Sequence, residues 1–171
     1  TLKMGMQGGE STKTLDPALA ASEVPFQVNK AWGETLIDVA PDGSLDLRLA
    51  EDVSSNADAT EWTFKVRQGV EFHSGKTLTG DDIVATMERH LDENSQSGAL
   101  GIVQGISAME VTGDMVKMTL HTANADFPYL MADYHLGIQP NGGKDNPTAG
   151  DGTGAYKVVV NEPGVRHAFE K

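Results

Sequence analysis

The run EWTFKVRQGVEFHSGKTLTGDDIVATMERHL, from Glu61 to Leu91, restricts the architecture of this chain more than any other. Trp62, Phe64 and Val66 alternate with Thr63, Lys65 and Arg67, the period-two pattern of a strand with one buried face. Gln68-Gly69 interrupts it, Val70 and Phe72 resume the alternation, and Ser74-Gly75 makes a second turn. Thr79 is then placed to cap a helix, with Asp82 three residues on as a short capping box. Ile83, Val84, Met87 and Leu91 form an apolar stripe at helical spacing. No residue in the run reads as a catalyst, and Asp81-Asp82 is better explained by the helix dipole than by acid–base chemistry.

Around this run the pattern stays mixed. Leu2, Met4 and Met6 predict a first strand closed by Gly8-Gly9. Val24, Val28, Ala31, Trp32 and Leu36 predict a helix over residues 22–36, with Pro25 tolerated in its first turn. Asp42-Gly43 predicts a hairpin turn, SSNADATE a polar connector, and Thr112-Gly113-Asp114 a second hairpin. ANADFPYLMADYHLGIQP reads as a short helix followed by a strand-like segment, and NGGKDNPTAGDGTG as a long loop. AYKVVVNEPGVRHAFEK reads as two strands about a Glu162-Pro163-Gly164 turn.

The 171 residues suffice for a domain with a true core. With 13 basic against 25 acidic residues, the net charge of −12 argues against nucleic acid and anionic lipid as partners. The absence of Cys excludes disulfides, thiolate metal sites and cysteine nucleophiles, and fits an oxidising compartment as well as the cytosol. No apolar run is long enough to span a bilayer. Thr1 opens directly into LKMGMQGGES without a signal peptide, so the chain reads as processed or trimmed.

Candidate chemistry is sparse. His73, His90, His121, His135 and His167 include no pair at the helical spacing of a zinc site, so no metal or cofactor is expected. GDGTG, residues 150–154, lacks the Lys-Ser/Thr of a phosphate loop, and Ser11 lacks a His or Asp partner motif. Glycine-rich loops at strand ends remain: Gly8 to Ser11 and Gly150 to Gly154, where backbone can approach a ligand closely or simply turn.

Taken in order, these blocks resemble the peptide-type extracytoplasmic solute-binding proteins of ABC importers, the dipeptide/oligopeptide-binding family 5. The signature W-x-F-x-L/V-R-x-G-V-x-F-H-x-G followed by T-x-D-D/E is filled by Trp62, Phe64, Val66, Arg67, Gly69, Val70, Phe72, His73, Gly75, Thr79 and Asp82. GGESTKTLDP is similar to the family's first strand and turn. WGETLIDVAPDGSLDLRLAED is similar to a second block, with Leu47 or Arg48 where proline is usual. GTGAYKVVVNEPGVRHAFEK is similar to a return strand, with Ala155 in place of proline.

The resemblance implies a mixed α/β (α+β) fold, an incomplete lobe of the type II periplasmic-binding-protein kind. Residues 1–40 and 150–171 would form part of the sheet of lobe I, with Leu2–Gln7 beside Tyr156–Val160. Residues 41–149 would form an inserted small α/β subdomain, and the second lobe would be absent. It further implies a non-enzymatic N-terminal portion of a periplasmic or extracytoplasmic protein that captures a peptide or similar solute and delivers it to ABC permease subunits, without membrane insertion of its own. Gly9, Glu10, Ser11, Thr153 and Gly154 are the expected ligand-binding residues, with Ser97 and Gly98 after the helix as further candidates. The alternatives are a ligand-sensing module without transport, and a hydrolase pairing Glu10 with a distant Asp, which requires two acids about 5–10 Å apart.

Overall fold

The expected strand and helix of the signature run are present in the computed structural model, which describes residues 3–7 and 14–171. Strand β4, Glu61–Val66, buries Trp62, Phe64 and Val66 and leaves the alternate residues half-buried. It lies inside a four-stranded antiparallel sheet of order β3-β4-β6-β5, with β3 Ala50–Ser55, β5 Ile106–Thr112 and β6 Met115–Leu120. Phe64 pairs with Val53 on one side and Val116 on the other, so apolar side chains line one face in register. On the opposite face Lys65 meets Glu51 at 2.6 Å, and Lys117 meets Glu110 at 3.2 Å.

Helix α2, Gly80–His90, covers the apolar face with Ile83 and Met87. Its first turn is fixed by Asp82, whose carboxylate accepts from the Thr79 amide and hydroxyl at 3.0 Å and from the Asn141 amide at 2.7 Å. Lys76 completes the cage as an ion pair. Burial pushes the Asp82 carboxyl up, but these four donors outweigh it and hold it below the usual range.

Helix α1, Glu23–Trp32, ends earlier than its stripe predicts. Gly33 leaves the helix in an extended conformation while its amide bonds Asn29 O, and Leu36 joins the sheet core instead of the helix face. Strands β1, Ile37–Val39, and β2, Leu45–Leu47, form the expected hairpin about Gly43, which has φ 84°. The polar connector is a tight turn. Asn56 Oδ1 accepts from the Thr60 and Glu61 amides, joining β3 to β4.

Val70 and Phe72 do not resume a strand. Gly69 and Gly75 both take positive φ, so the chain folds back after one bridge, Glu71 with Thr77. Two short helices, α3 Leu100–Val103 and α4 Phe127–Leu130, add Val103 and Phe127 to the sheet core, with Phe127 against Trp62 and Phe64. The strand-like segment after α4 holds no strand. A 3-10 turn, Tyr134–Leu136, leads to Ile138, whose amide bonds Glu34 O.

Strands β7, Lys157–Glu162, and β8, Arg166–Glu170, make a separate hairpin with a bulge between Val158 and Val160. The expected pairing of residues 2–7 with 156–160 is not observed. Among the described residues Lys3–Gln7 forms no strand, and β7 pairs with β8 alone. Met6 reaches this region through its side chain, against a small core of Leu15, Val24, Val28 and Trp32 that also receives Val158 and Phe169.

Candidate functional site

A cleft of about 320 Å³ opens where the end of α1 meets the segment around Gly154. Helix termini leave carbonyls without intrahelical partners. Here the Gly154 amide donates to Trp32 O at 2.9 Å and the Tyr156 amide to Ala31 O at 3.2 Å, so the return segment caps the helix. The approach is so close that a Cβ on Gly154 would stand 2.6 Å from the Trp32 carbonyl carbon, which is why glycine is required. From the other side His73 Nε2 donates to Gly154 O at 2.8 Å, and the His73 amide donates to Gly152 O at 2.9 Å. A carbonyl only accepts, so the Nε2 of His73 carries the proton. Thr153 Oγ1 donates to Glu34 Oε2 at 2.9 Å, which places Glu34 on the cleft wall.

The remaining wall is polar and charged. Lys30 Nζ donates to Asp38 at 2.6 Å, and Arg48 pairs with Asp46 at 2.7 Å. Burial raises the Asp38 carboxyl, but the Lys30 hydrogen bond, the Val39 amide and the nearby Lys30 and Arg48 charges bring it below the usual range. The buried Trp32 indole donates to Asn29 Oδ1 at 3.2 Å. Tyr134 closes the opposite rim, stacked edge-on against Phe26 at 5.0 Å.

Of the expected site residues, Thr153 and Gly154 are brought to this cleft: Gly154 lines it, and Thr153 braces its Glu34. Gly9, Glu10 and Ser11 lie outside the described residues. Ser97 and Gly98 belong to a different set of contacts. The Ser97 hydroxyl meets His90 Nδ1 at 2.6 Å and accepts from the Ala99 amide at 3.0 Å, while the Gly98 amide donates to Ala18 O at 3.0 Å. Any Cβ on Gly98 would run into the His135 ring. That ring meets Asp133 Oδ1 at 2.6 Å through Nδ1 and Ala20 O at 2.9 Å through Nε2. Burial, reinforced by Arg89, lowers the His90 imidazole to about 4, partly opposed by Asp16. Ser97 does border a more open depression, but the charges there pair internally, Arg89 with Asp16 and Lys144 with Glu88.

Sequence reasoning missed Asn29, Lys30, Glu34 and Tyr134. One signal was available. A buried indole N–H needs an acceptor, and Asn29 lies three residues before Trp32 on the same helix face. Among the described residues no group of three or more His, Asp or Glu is arranged to hold a metal ion, and no helix is long and apolar enough to cross a membrane.

Solved structures define the class. The PBP AgaA from A. tumefaciens R10, in complex with agropinic acid, matches at TM-score 0.87 and 30% identity over 95% of this chain and 34% of that one. A nickel ABC transporter protein from Bacillus halodurans matches at TM-score 0.81 and 27% identity over 94% of this chain and 33% of that one. The fold is therefore the mixed α/β lobe of a type II periplasmic binding protein, present in part. The model of bacterial extracellular solute-binding proteins, family 5 middle, matches residues 44–171, and this chain belongs to that family. Among curated relatives, the glutathione-binding protein GsiB of Salmonella paratyphi A is 26% identical over 88% of this chain. The chain spans 30% of GsiB's length, about a third of what such proteins contain.

Proposed function

We propose that this chain is the N-terminal portion of an extracytoplasmic binding protein that captures a peptide or similar small solute and delivers it to the permease subunits of an ABC importer. The observation that carries the reading is the cleft between α1 and Gly154. Its walls are held by backbone hydrogen bonds and its polar side chains face an opening, an arrangement suited to holding a solute without transforming it. Residues 1–40 and 150–171 are proposed as part of the lobe I sheet region and residues 41–149 as an inserted subdomain, with the cleft at their junction. Thr153 and Gly154 are the favoured ligand-side residues, together with the Gly9–Glu10–Ser11 loop. Ser97 and Gly98 are less suited, because neither lines this cleft and the His135 ring stands against Gly98.

Closure of a second lobe over the cleft would supply affinity and signal occupancy to the importer. These 171 residues by themselves are expected to bind weakly. The test is thermal shift and calorimetry of the full-length protein with pools of peptides, sugars and nickel chelates. A shift of several degrees with one pool is expected; no shift and no heat with any pool overturns the reading.

A further inference from the structure

Residues 150–156 belong to no helix or strand, yet Gly154 and Ala155 line the cleft. Irregular backbone keeps one course only where its polar groups are tied down. On one side the end of α1 ties them. The Gly154 amide donates to Trp32 O, and a Cβ on Gly152 would run into that same oxygen. On the other side stands the turn over residues 72–75 of the signature run. The His73 amide donates to Gly152 O at 2.9 Å, the Ser74 amide to Asp151 Oδ1 at 3.0 Å, and His73 Nε2 to Gly154 O at 2.8 Å.

The turn is a firm support. Phe72 is buried in the sheet core, its amide bonds Lys76 O at 2.9 Å, and the Gly75 amide closes the turn on Phe72 O at 2.8 Å. The three bonds from the turn are not equivalent. Two end at residues 151 and 152, which do not line the cleft. Only the imidazole reaches Gly154, which does. Among the described residues His73 Nδ1 has no partner, so this is the ring's one hydrogen bond. His73 itself stands behind the wall and does not line the cleft.

Resting on the reading of this cleft as the solute site, we propose that His73 is a positioning residue. Its Nε2–H fixes the Gly154 carbonyl and with it the wall that the solute meets, so a side chain that does not touch the solute sets its affinity. Glycine is the residue whose backbone turns most freely. Here the Gly154 amide is held by Trp32 O and its carbonyl by His73, and neither peptide plane can swing without breaking a bond. A wall ordered before the solute arrives lowers the entropy cost of binding.

The experiment uses the full-length protein and three variants. His73→Leu removes the donor, His73→Asn carries an amide too short to reach Gly154 O, and His73→Gln carries one that donates from the reach of Nε2. All three leave the main-chain bonds of the turn in place. The first measurement needs no solute: hydrogen exchange over residues 150–156, read by mass spectrometry. It should run about tenfold faster in His73→Leu and His73→Asn, and at close to the wild-type rate in His73→Gln. The second is calorimetry with tri-alanine, maltotriose and the nickel complex of L-histidine. Any of these that binds the wild type should bind the Leu and Asn variants about tenfold more weakly, and the Gln variant within about threefold of wild type. Unchanged exchange in the Leu or Asn variant that folds overturns the proposal, as does unchanged affinity there. A loss that Gln does not restore overturns it as well, because the imidazole then acts by shape and not by its donor. No binding of the three compounds by the wild type overturns it too, and the peptide, sugar and chelate pools then decide separately whether the solute-binding reading stands.

Discussion

Strands β6 and β7 look alike as sequence and differ as structure. MVKMTL and KVVVNE both carry alternating or continuous apolar residues, and both belong to antiparallel hairpins. In β6, Val116, Met118 and Leu120 are all buried, because β4 and β5 flank the strand and α2 covers it. No residue of β7 is buried. It has one ladder partner, and Val159, between the half-buried Val158 and Val160, is 49% exposed. A strand pattern thus reports backbone conformation, whereas burial depends on what the rest of the chain lays against it.

The largest effect is expected at the sheet. Phe64 is fully buried at the centre, against Phe127 at 6.3 Å. Phe64→Ala should cost about 3–5 kcal/mol. Hydrogen exchange read by mass spectrometry should show β4 and β6 losing protection while β7 and β8 keep theirs. Equal loss in the hairpin would mean that the two regions unfold as one.

Acid sharpens the same contrast. The His90 pKa lies at about 4 in the fold, below the ordinary value of 6.5. The unfolded chain therefore binds the extra proton first, and stability falls as pH drops from 6.5 to 4, by roughly 3 kcal/mol at most. Below that window both states are protonated and no more is lost. His90→Gln should flatten this part of the stability profile. Burial also lowers His167 in the hairpin, but that group lies on a strand without a buried residue, and His167→Gln should alter the profile less.

The regions also differ in what could be read beforehand. The strand β4, the α2 cap and the hairpin turns depend on residues within a few positions of one another, so spacing reveals them. The cleft joins residues 29–38 to Tyr134 and to Gly154, and no local pattern encodes that meeting. Ser97-Gly98 misleads for the related reason that small residues suggest an open loop, while His90 and His135 arrive from elsewhere to lock it. Among the described residues Met4 and Met6 alternate as a strand would, yet Lys3–Gln7 joins no ladder and Met6 packs against the small core by its side chain.

The link between hairpin and helix should respond to Gly154→Ala. The added methyl meets the Trp32 carbonyl carbon at 2.6 Å, backbone that cannot rotate away, and about 1–3 kcal/mol is the expected cost. The Gly154 and Tyr156 amides should exchange faster, because their acceptors are Trp32 O and Ala31 O. Unchanged exchange at these two amides would show that the cap yields without strain.

The smallest effect belongs at the hairpin tip. Val165 is 79% exposed in the turn between β7 and β8, where its amide bonds Glu162 O at 2.9 Å and its side chain faces solvent. Val165→Lys should change the stability of the full-length protein by no more than about 0.5 kcal/mol, since an exposed substitution removes no packing. The charge also opposes the chain's net −12, so repulsion does not mask the result. A loss above about 1 kcal/mol would mean that another part of the full-length protein covers this tip. In that case β7 would be completed by partners as β6 is, and the difference between the two strands would lie in which segments meet them.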